Sequence, residues 1–323
     1  MNHPLVTICV PVFNAEGSIG RCLDAVLAQD TEEAEILIVD NASDDRTASI
    51  AEHMLRGIPQ ARIIRNERNI GRIENWNRCL ELATGRYIKF ALANDVLLKS
   101  SLRIMLDEAQ SNPETVMVGS KFQYEDVFPL ELPEMPAPVN VKRYSTVETL
   151  QFFGEETNTT GSLNGTLFKR EPIVNNNLHF RLDMPYCADF YFAIQLACYG
   201  QTAFLDVNSH LFNATAKSRF HYAGMNAANL VREHRECALE IARLLRIHGG
   251  DESCAFKGLW HIYEVMFYNQ RPFSIQESHQ IFAGSGAYQS RALINRVRYE
   301  LKKALPFLVP AARKLRTALR THE

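Results

Sequence analysis

The chain has 323 residues, 46% hydrophobic and 22% charged, enough to bury one large core or two ordinary ones and too apolar for a disordered chain. Lys and Arg number 35 against 37 Asp and Glu, a formal charge of −2, which excludes the basic excess of a protein that coats nucleic acid. No stretch reaches the roughly 20 apolar residues that span a bilayer. Seven cysteines, an odd count with no CxxC or Cys/His zinc spacing, predict buried thiols in a reducing cytosol.

Residues 6–12 (VTICVPV) form a near-continuous apolar run, the pattern of a strand covered on both faces. The run is short, contains Pro11 and follows no cationic stretch, so it reads as a strand and not a signal peptide. Ile19, Cys22, Leu23, Val26 and Leu27 then recur at helical spacing behind Ser18, a capping residue type. Strands follow at 35–39, 61–65, 86–92 and 115–120, with helices at 47–55, 73–83 and 101–110 between them. This alternation predicts right-handed βαβ units on a mostly parallel sheet. Residues 128–138 hold four prolines and read as a loop or linker. Beyond them lie a helix near 146–153, a Gly/Asn/Thr stretch at 157–166, a helix at 187–199 closed by Gly200, and two short strands near 202–220. From Asn226 the pattern is helical, with segments near 226–248, 252–269, 290–304 and 310–320.

Ligands of parallel α/β sheets bind outside the carboxyl ends of the strands, and there the sequence turns polar. The junctions are Pro11–Glu16, Asp40–Asp45, Asn69-Ile70-Gly71-Arg72 and Ala93-Asn94-Asp95. Singly, each is the chemistry of a solvated turn or helix cap. Taken in order they resemble the family 2 glycosyltransferases of the GT-A fold, over residues 4–225. The resemblance rests on Pro-x-aromatic-Asn (Pro11–Asn14), on Val-Asp-x-x-Ser-x-Asp-x-Thr (Val39–Thr47), on Asn69, Gly71 and Asn77, and on Gly85 ahead of strand four.

The resemblance implies an α/β GT-A domain, a Rossmann-like mixed sheet, over residues 1–225. Residues 226–323 would form a helical C-terminal extension suited to membrane association or oligomerisation. It implies nucleotide-sugar binding through Pro11, Phe13, Asn14, Asp40, Asn69, Arg72, Asn77 and Asn94. Asp40 looks like the family residue that accepts from a uracil or thymine ring N–H, and Phe13 stands where it would pack against the base. Arg72 offers a fork of donors to phosphate, with a salt bridge to Glu74 or a surface role as alternatives. Asn77, polar on a face shared with Ile73 and Leu80, either faces the donor or satisfies a buried backbone group.

The family's strand four ends in Asp-x-Asp-Asp, and here it reads Leu92-Ala93-Asn94-Asp95. Leu92 cannot bind a cation, Asn94 keeps a carbonyl oxygen without charge, and Asp95 remains as the metal-ligating acid. A divalent ion on a nucleoside diphosphate needs only one or two carboxylates. The resemblance thus still implies a metal-dependent enzyme, with Mn2+ or Mg2+ held by Asp95 and, in an Arg-x-His-like segment, His221. An inverting transfer needs a base for the acceptor proton, which falls on Asp189, with Ala188 in place of the family's Glu. An Asp favoured by a helix macrodipole is the plainer alternative there. Asn158–Gly165 resembles the acceptor-side loop.

Residues 291–320 carry nine Lys and Arg against Glu300, with Leu293, Val297, Leu301 and Leu305 at i, i+4 spacing. That is equally a basic amphipathic surface for an anionic membrane and a core-packed helix with a solvated face. The expected function is inverting transfer from a UDP- or dTDP-sugar to a saccharide or lipid-linked saccharide, as in cell-surface polysaccharide synthesis. The expected setting is cytoplasmic, peripheral on the inner membrane surface through residues 290–320, with a homo-oligomer open and no nucleic-acid partner. The alternative is a catalytically impaired nucleotide-sugar-binding relative, which Leu92, Asn94 and Ala188 favour. A nucleotidyltransferase would show a Gly-rich basic loop after strand one, whereas NAEGSIG is followed only by Arg21.

Overall fold

A computed structural model describes residues 4–29, 32–125, 127–137, 139–156, 163–213, 227–269 and 274–283, with scattered positions to 294. The first half runs β1 (Val6–Val12), α1 (Ile19–Leu27), β2 (Ala34–Asp40), α2 (Thr47–Met54), β3 (Ala61–Arg65), α3 (Arg72–Leu82), β4 (Tyr87–Phe90), β5 (Val96–Leu97), α4 (Ser101–Ser111) and β6 (Thr115–Glu125). The second runs β7 (Val141–Tyr144), α5 (Thr146–Glu156), β8 (Thr166–Lys169), α6 (Arg170–Asn175), α7 (Ala188–Leu196), β9 (Gln201–Asn213), α8 (Ala227–His248), α9 (Lys257–Asn269) and α10 (Ile275–Ile281).

The sheet order is β3-β2-β1-β4-β8-β6-β9-β5, with β7 on β9. β3, β2, β1 and β4 are parallel, and β8 enters antiparallel between β4 and β6. β1 tolerates Pro11 in a central strand because its pairing with β4 stops at Cys9↔Phe90. The Cys9 carbonyl accepts from Ala91 on that side, so the missing Pro11 N–H faces the gap past the end of β4. Gly85 is needed where the chain enters β4, since a Cβ there would lie 2.4 Å from the Thr7 backbone nitrogen.

Side chains alternate across the sheet. Ile8, Val10, Ile36 and Ile38 pack with α1 and α4, while Cys9, Leu37 and Val39 pack with α3 on the opposite face. Both faces are covered, so these strands read as unbroken apolar runs. The second face also buries Leu230, Val231, Ile241 and Leu259 in one cluster with Phe153, Phe190 and Phe192. The helices from Ala227 onward are therefore built onto the α/β core.

Several elements differ from the sequence expectation. The two short strands expected near 202–220 are one strand, β9, within the described residues. Its register against β6 slips on both sides of Lys121, and the irregular stretch from Asp206 to Ser209 is polar enough to resemble a turn. β7 has only half-buried and exposed residues and lacks an apolar run, and β5 and β8 are too short to show a period. The expected segments at 290–304 and 310–320 lie almost wholly outside the described residues.

Candidate functional site

The carboxyl ends of β1, β2 and β3 are tied together by the polar residues of the motifs. Asn14 sits at φ 47°; its amide donates to Ser43 Oγ at 3.0 Å, and its Oδ1 accepts from the Asp44 amide at 3.0 Å. Thr47 Oγ1 accepts from the Ala15 amide at 2.7 Å, and Asp45 Oδ2 from the Glu16 amide at 3.0 Å. Ser43, Asp45 and Thr47 thus bind the first loop to the second. Phe13 is left 47% exposed above them, and Pro11 is buried in β1.

Asp40 is placed differently from the expectation. Its side chain is fully buried, its Oδ1 accepts from the Ser43 amide and hydroxyl at 3.1 and 2.5 Å, and Arg65 Nη1 lies 3.1 Å from Oδ2. The Arg65 contact is an ion pair without hydrogen-bond alignment. Here Asp40 anchors the loop from below, a role that leaves no exposed carboxylate for a base edge. Asn41, not singled out in the sequence, carries the next layer. Its Oδ1 accepts from the Ile70 amide at 2.9 Å and its Nδ2 donates to Asn69 Oδ1 at 2.8 Å. Asn69 Oδ1 also accepts from the Gly71 amide at 2.8 Å, so Asn69 shapes the turn whose Gly71 has φ 90°.

Asn77 takes the second of its two readings. It is buried, its Nδ2 donates to the Phe180 carbonyl at 3.0 Å and its Oδ1 accepts from the Phe180 amide at 2.8 Å. Both ends of the amide are engaged by backbone, so it clamps Phe180 to α3. Phe180 in turn meets Trp76, Phe90 and Phe192 at centroid distances of 5.5, 5.8 and 4.4 Å, joining α3, β4 and α7. Arg72 donates to the Pro185 carbonyl and lies 5.2 Å over the Trp76 ring. That contact takes the place of the alternative pair with Glu74, whose carboxylate accepts from Asn77 at 3.5 Å.

At the end of β4, Asn94 Oδ1 accepts from Ser18 Oγ at 3.1 Å, which turns Ser18 away from capping α1. Asp95 is buried; Oδ2 accepts from Asn164 Nδ2 at 2.5 Å and Oδ1 from the Asn213 amide at 3.2 Å. Burial pushes its carboxyl up to about 7, opposed by these two bonds. Asn164 also accepts from the Leu92 amide at 2.6 Å and presents its carbonyl to the buried Lys89 ammonium. Within the described residues no His/Cys/Asp/Glu group of three or more gathers, and no ion pair involves Asp95. A lone, desolvated carboxylate without a cationic partner fits a divalent ion whose other ligands are phosphate oxygens and water. His221 and residues 158–162 lie outside the described residues.

Asp189 is the second residue of α7 and is half-buried. Burial raises its carboxyl above the ordinary range, while the Phe190 amide at 2.9 Å, Arg72 and His234 pull it down. Arg72 therefore stands between the β3–α3 turn and the start of α7, bringing two of the expected residues together.

Residues 7–173, just over half of the chain, match the model of glycosyl transferase family 2. The chain belongs to that family. It is 29% identical over 188 residues to the uncharacterized glycosyltransferase EpsJ of Bacillus subtilis, covering 58% of this chain and 54% of that one. Two of the curated relatives it matches are covered over only 31% and 54% of their own length. Its fold is that of the GT-A glycosyltransferases: Staphylococcus aureus TarS 1–349 in complex with UDP superposes with a TM-score of 0.62 at 17% identity, over 96% of this chain and 87% of that one. A Pyrobaculum calidifontis mannosyltransferase in complex with GDP-Man and Mn2+ gives 0.58 at 18% identity, over 93% and 81%.

Proposed function

We propose that the chain transfers a sugar, with inversion, from a UDP- or dTDP-sugar to a saccharide or lipid-linked saccharide acceptor in cell-surface polysaccharide synthesis. The observation that carries this reading is the place of Asp189, a carboxylate raised by burial at the start of α7 and facing Arg72 of the donor-side turn. A raised carboxyl accepts a proton better than an exposed one, as a base for the acceptor hydroxyl must. Phe13 offers an exposed ring to a base, and Arg72 keeps N–H donors beyond its Pro185 bond for a diphosphate. Asp95, with Asn94 beside it, and His221 would hold Mn2+ or Mg2+, which when bound supplies Lewis-acid stabilisation to the departing diphosphate. UDP is bound by TarS and GDP-Man with Mn2+ by the mannosyltransferase, which supports a nucleotide-sugar donor.

Thermal shift against UDP-, dTDP- and GDP-sugars, with and without Mn2+, tests the reading, because a ligand of the folded state raises Tm. UDP- or dTDP-sugars should raise Tm in Mn2+ and lose that effect in Asp95→Asn. No shift with any nucleotide sugar sinks the proposal. The hydrogen bonds that already hold Asp95 favour a second reading, a binding relative with impaired turnover. Stabilisation by donor without release of nucleoside diphosphate would select it.

The basic segment 290–320 supplies attraction to an anionic surface of about 1 kcal/mol for each Lys or Arg near it. The full chain should sediment with anionic vesicles at low salt and stop doing so when residues from 290 onward are removed. Indifference of the full chain to such vesicles ends this part of the reading.

A further inference from the structure

We propose that Glu233, on α8 of the C-terminal region, is a positioning residue that fixes the start of α7 and thereby the carboxylate of Asp189. The inference rests on Asp189 being the base.

The first turn of a helix leaves backbone N–H groups without partners, and a capping side chain usually supplies one. α7 has one local acceptor, Asp189 Oδ1 on the Phe190 amide, and none from its N-cap residue. Its N-cap is Cys187, whose side chain makes no capping bond, and its first residue is Ala188. The two amides that lead into the helix find their acceptor elsewhere in the chain. Glu233 Oε2 accepts from the Tyr186 amide at 2.7 Å and from the Cys187 amide at 2.9 Å. The next residue, His234, places Nδ1 3.1 Å from Cys187 Sγ and 3.0 Å from the Leu230 carbonyl. Both Glu233 and His234 are buried, on a helix whose Leu230, Val231 and Cys237 lie in the same core cluster as Ala188 and Phe190. A helix nearly fifty residues downstream therefore sets where Asp189 stands.

The charge has its own consequence. Glu233 forms no salt bridge within the described residues, and a glutamine could accept the same two bonds without burying a charge. The groups facing Asp189 are cationic or partly positive: Arg72 from α3, His234 from α8 and the start of α7 itself. Asp183, from the segment before α7, and Arg72 act on Glu233. Burial raises the Glu233 carboxyl while the Tyr186 and Cys187 amides and Arg72 lower it; in its charged form it adds an anion beside that positive field, which favours a more basic Asp189.

The test measures release of nucleoside diphosphate from a panel of UDP-, dTDP- and GDP-sugars by the full chain with Mn2+, comparing wild type with E233A, E233Q and D189N. E233A should lower kcat tenfold or more and leave KM for the nucleotide sugar within twofold. E233Q keeps the acceptor oxygen and should restore most of kcat. With its charge gone Asp189 is less basic, so the acid limb of the pH profile should move to lower pH. If E233A does not fold by circular dichroism, the limb shift in E233Q decides alone. Wild-type kcat and an unmoved acid limb in the folded Glu233 variants, with D189N inactive, overturn the positioning role only. Full activity in D189N, or no release from any donor of the panel by wild type, overturns the reading of Asp189 and this inference with it.

Discussion

The two ends of the candidate site are assembled from different ranges of the chain. At the donor end, partners are about thirty residues apart: Asn14 with Ser43, Ala15 with Thr47, Asn41 with Asn69. At the base end, Asn77 reaches across 103 residues to Phe180, Arg72 across 113 to Pro185, and Glu233 across 47 to Tyr186. The donor end is a set of adjacent βα turns, each held by the polar residues of the next. The base end depends on α3, α7 and α8 being docked on one sheet face through a buried aromatic set. Damage to the first should stay local and affect binding, whereas damage to the second should affect chemistry.

The largest expected effect is at Asp189, the proposed base. Asp189→Asn preserves shape but cannot take a proton, so turnover should fall by about 10²–10⁴ while donor affinity by calorimetry stays unchanged. A comparable loss of donor affinity would mean that the base end also holds the donor, and the contrast between the two ends would disappear.

Those ranges also decide what the sequence could reveal. Ser43, Asp45 and Thr47 recur at fixed offsets because one turn must satisfy neighbouring amides, and such spacing is visible in the chain. Asp40 is legible as a member of that motif, but nothing in VDNAS shows that its carboxylate is buried beneath the loop and bonded to Ser43. Asn164 is legible only as part of the 158–165 stretch that resembles an acceptor-side loop, and Glu233 has no signal at all. Asn164 lies in a polar stretch that reads as loop, and Glu233 lies among the charged residues of an amphipathic helix. Their partners are fixed only by tertiary docking. β9 reads as two strands in the sequence because its bulge places polar residues within a strand.

The next effect, smaller, falls on the donor end. Asp40→Ala leaves the Ser43 amide and hydroxyl without their acceptor and Arg65 without its carboxylate. A loss of about 2–3 kcal/mol in unfolding free energy is expected from urea denaturation, with weakened nucleotide binding following from the loosened turn. Weakened binding in a variant of unchanged stability would return Asp40 to the role of a direct ligand.

Between the two ends lies Lys89, fully buried on β4 and donating to the carbonyls of Asn164 and Thr166. Burial lowers its ammonium to about 7 from 10.5. Between those values the unfolded chain binds a proton that the folded chain lacks, so stability from this residue rises with pH across that window. Below about 7 both states are protonated and the dependence vanishes; above about 10.5 neither is. His210, which faces Lys89, is itself held well below its ordinary value by burial and by that cation, and adds no titration in the window. Lys89→Met removes the effect while keeping the bulk. The stability difference between wild type and Lys89→Met should move in favour of wild type from pH 7 to pH 9, by no more than about 1.4 kcal/mol per pH unit. A difference flat across that range would show that Lys89 keeps its proton in the fold, with a counter-charge at the β4 end beyond Asn164 and Thr166.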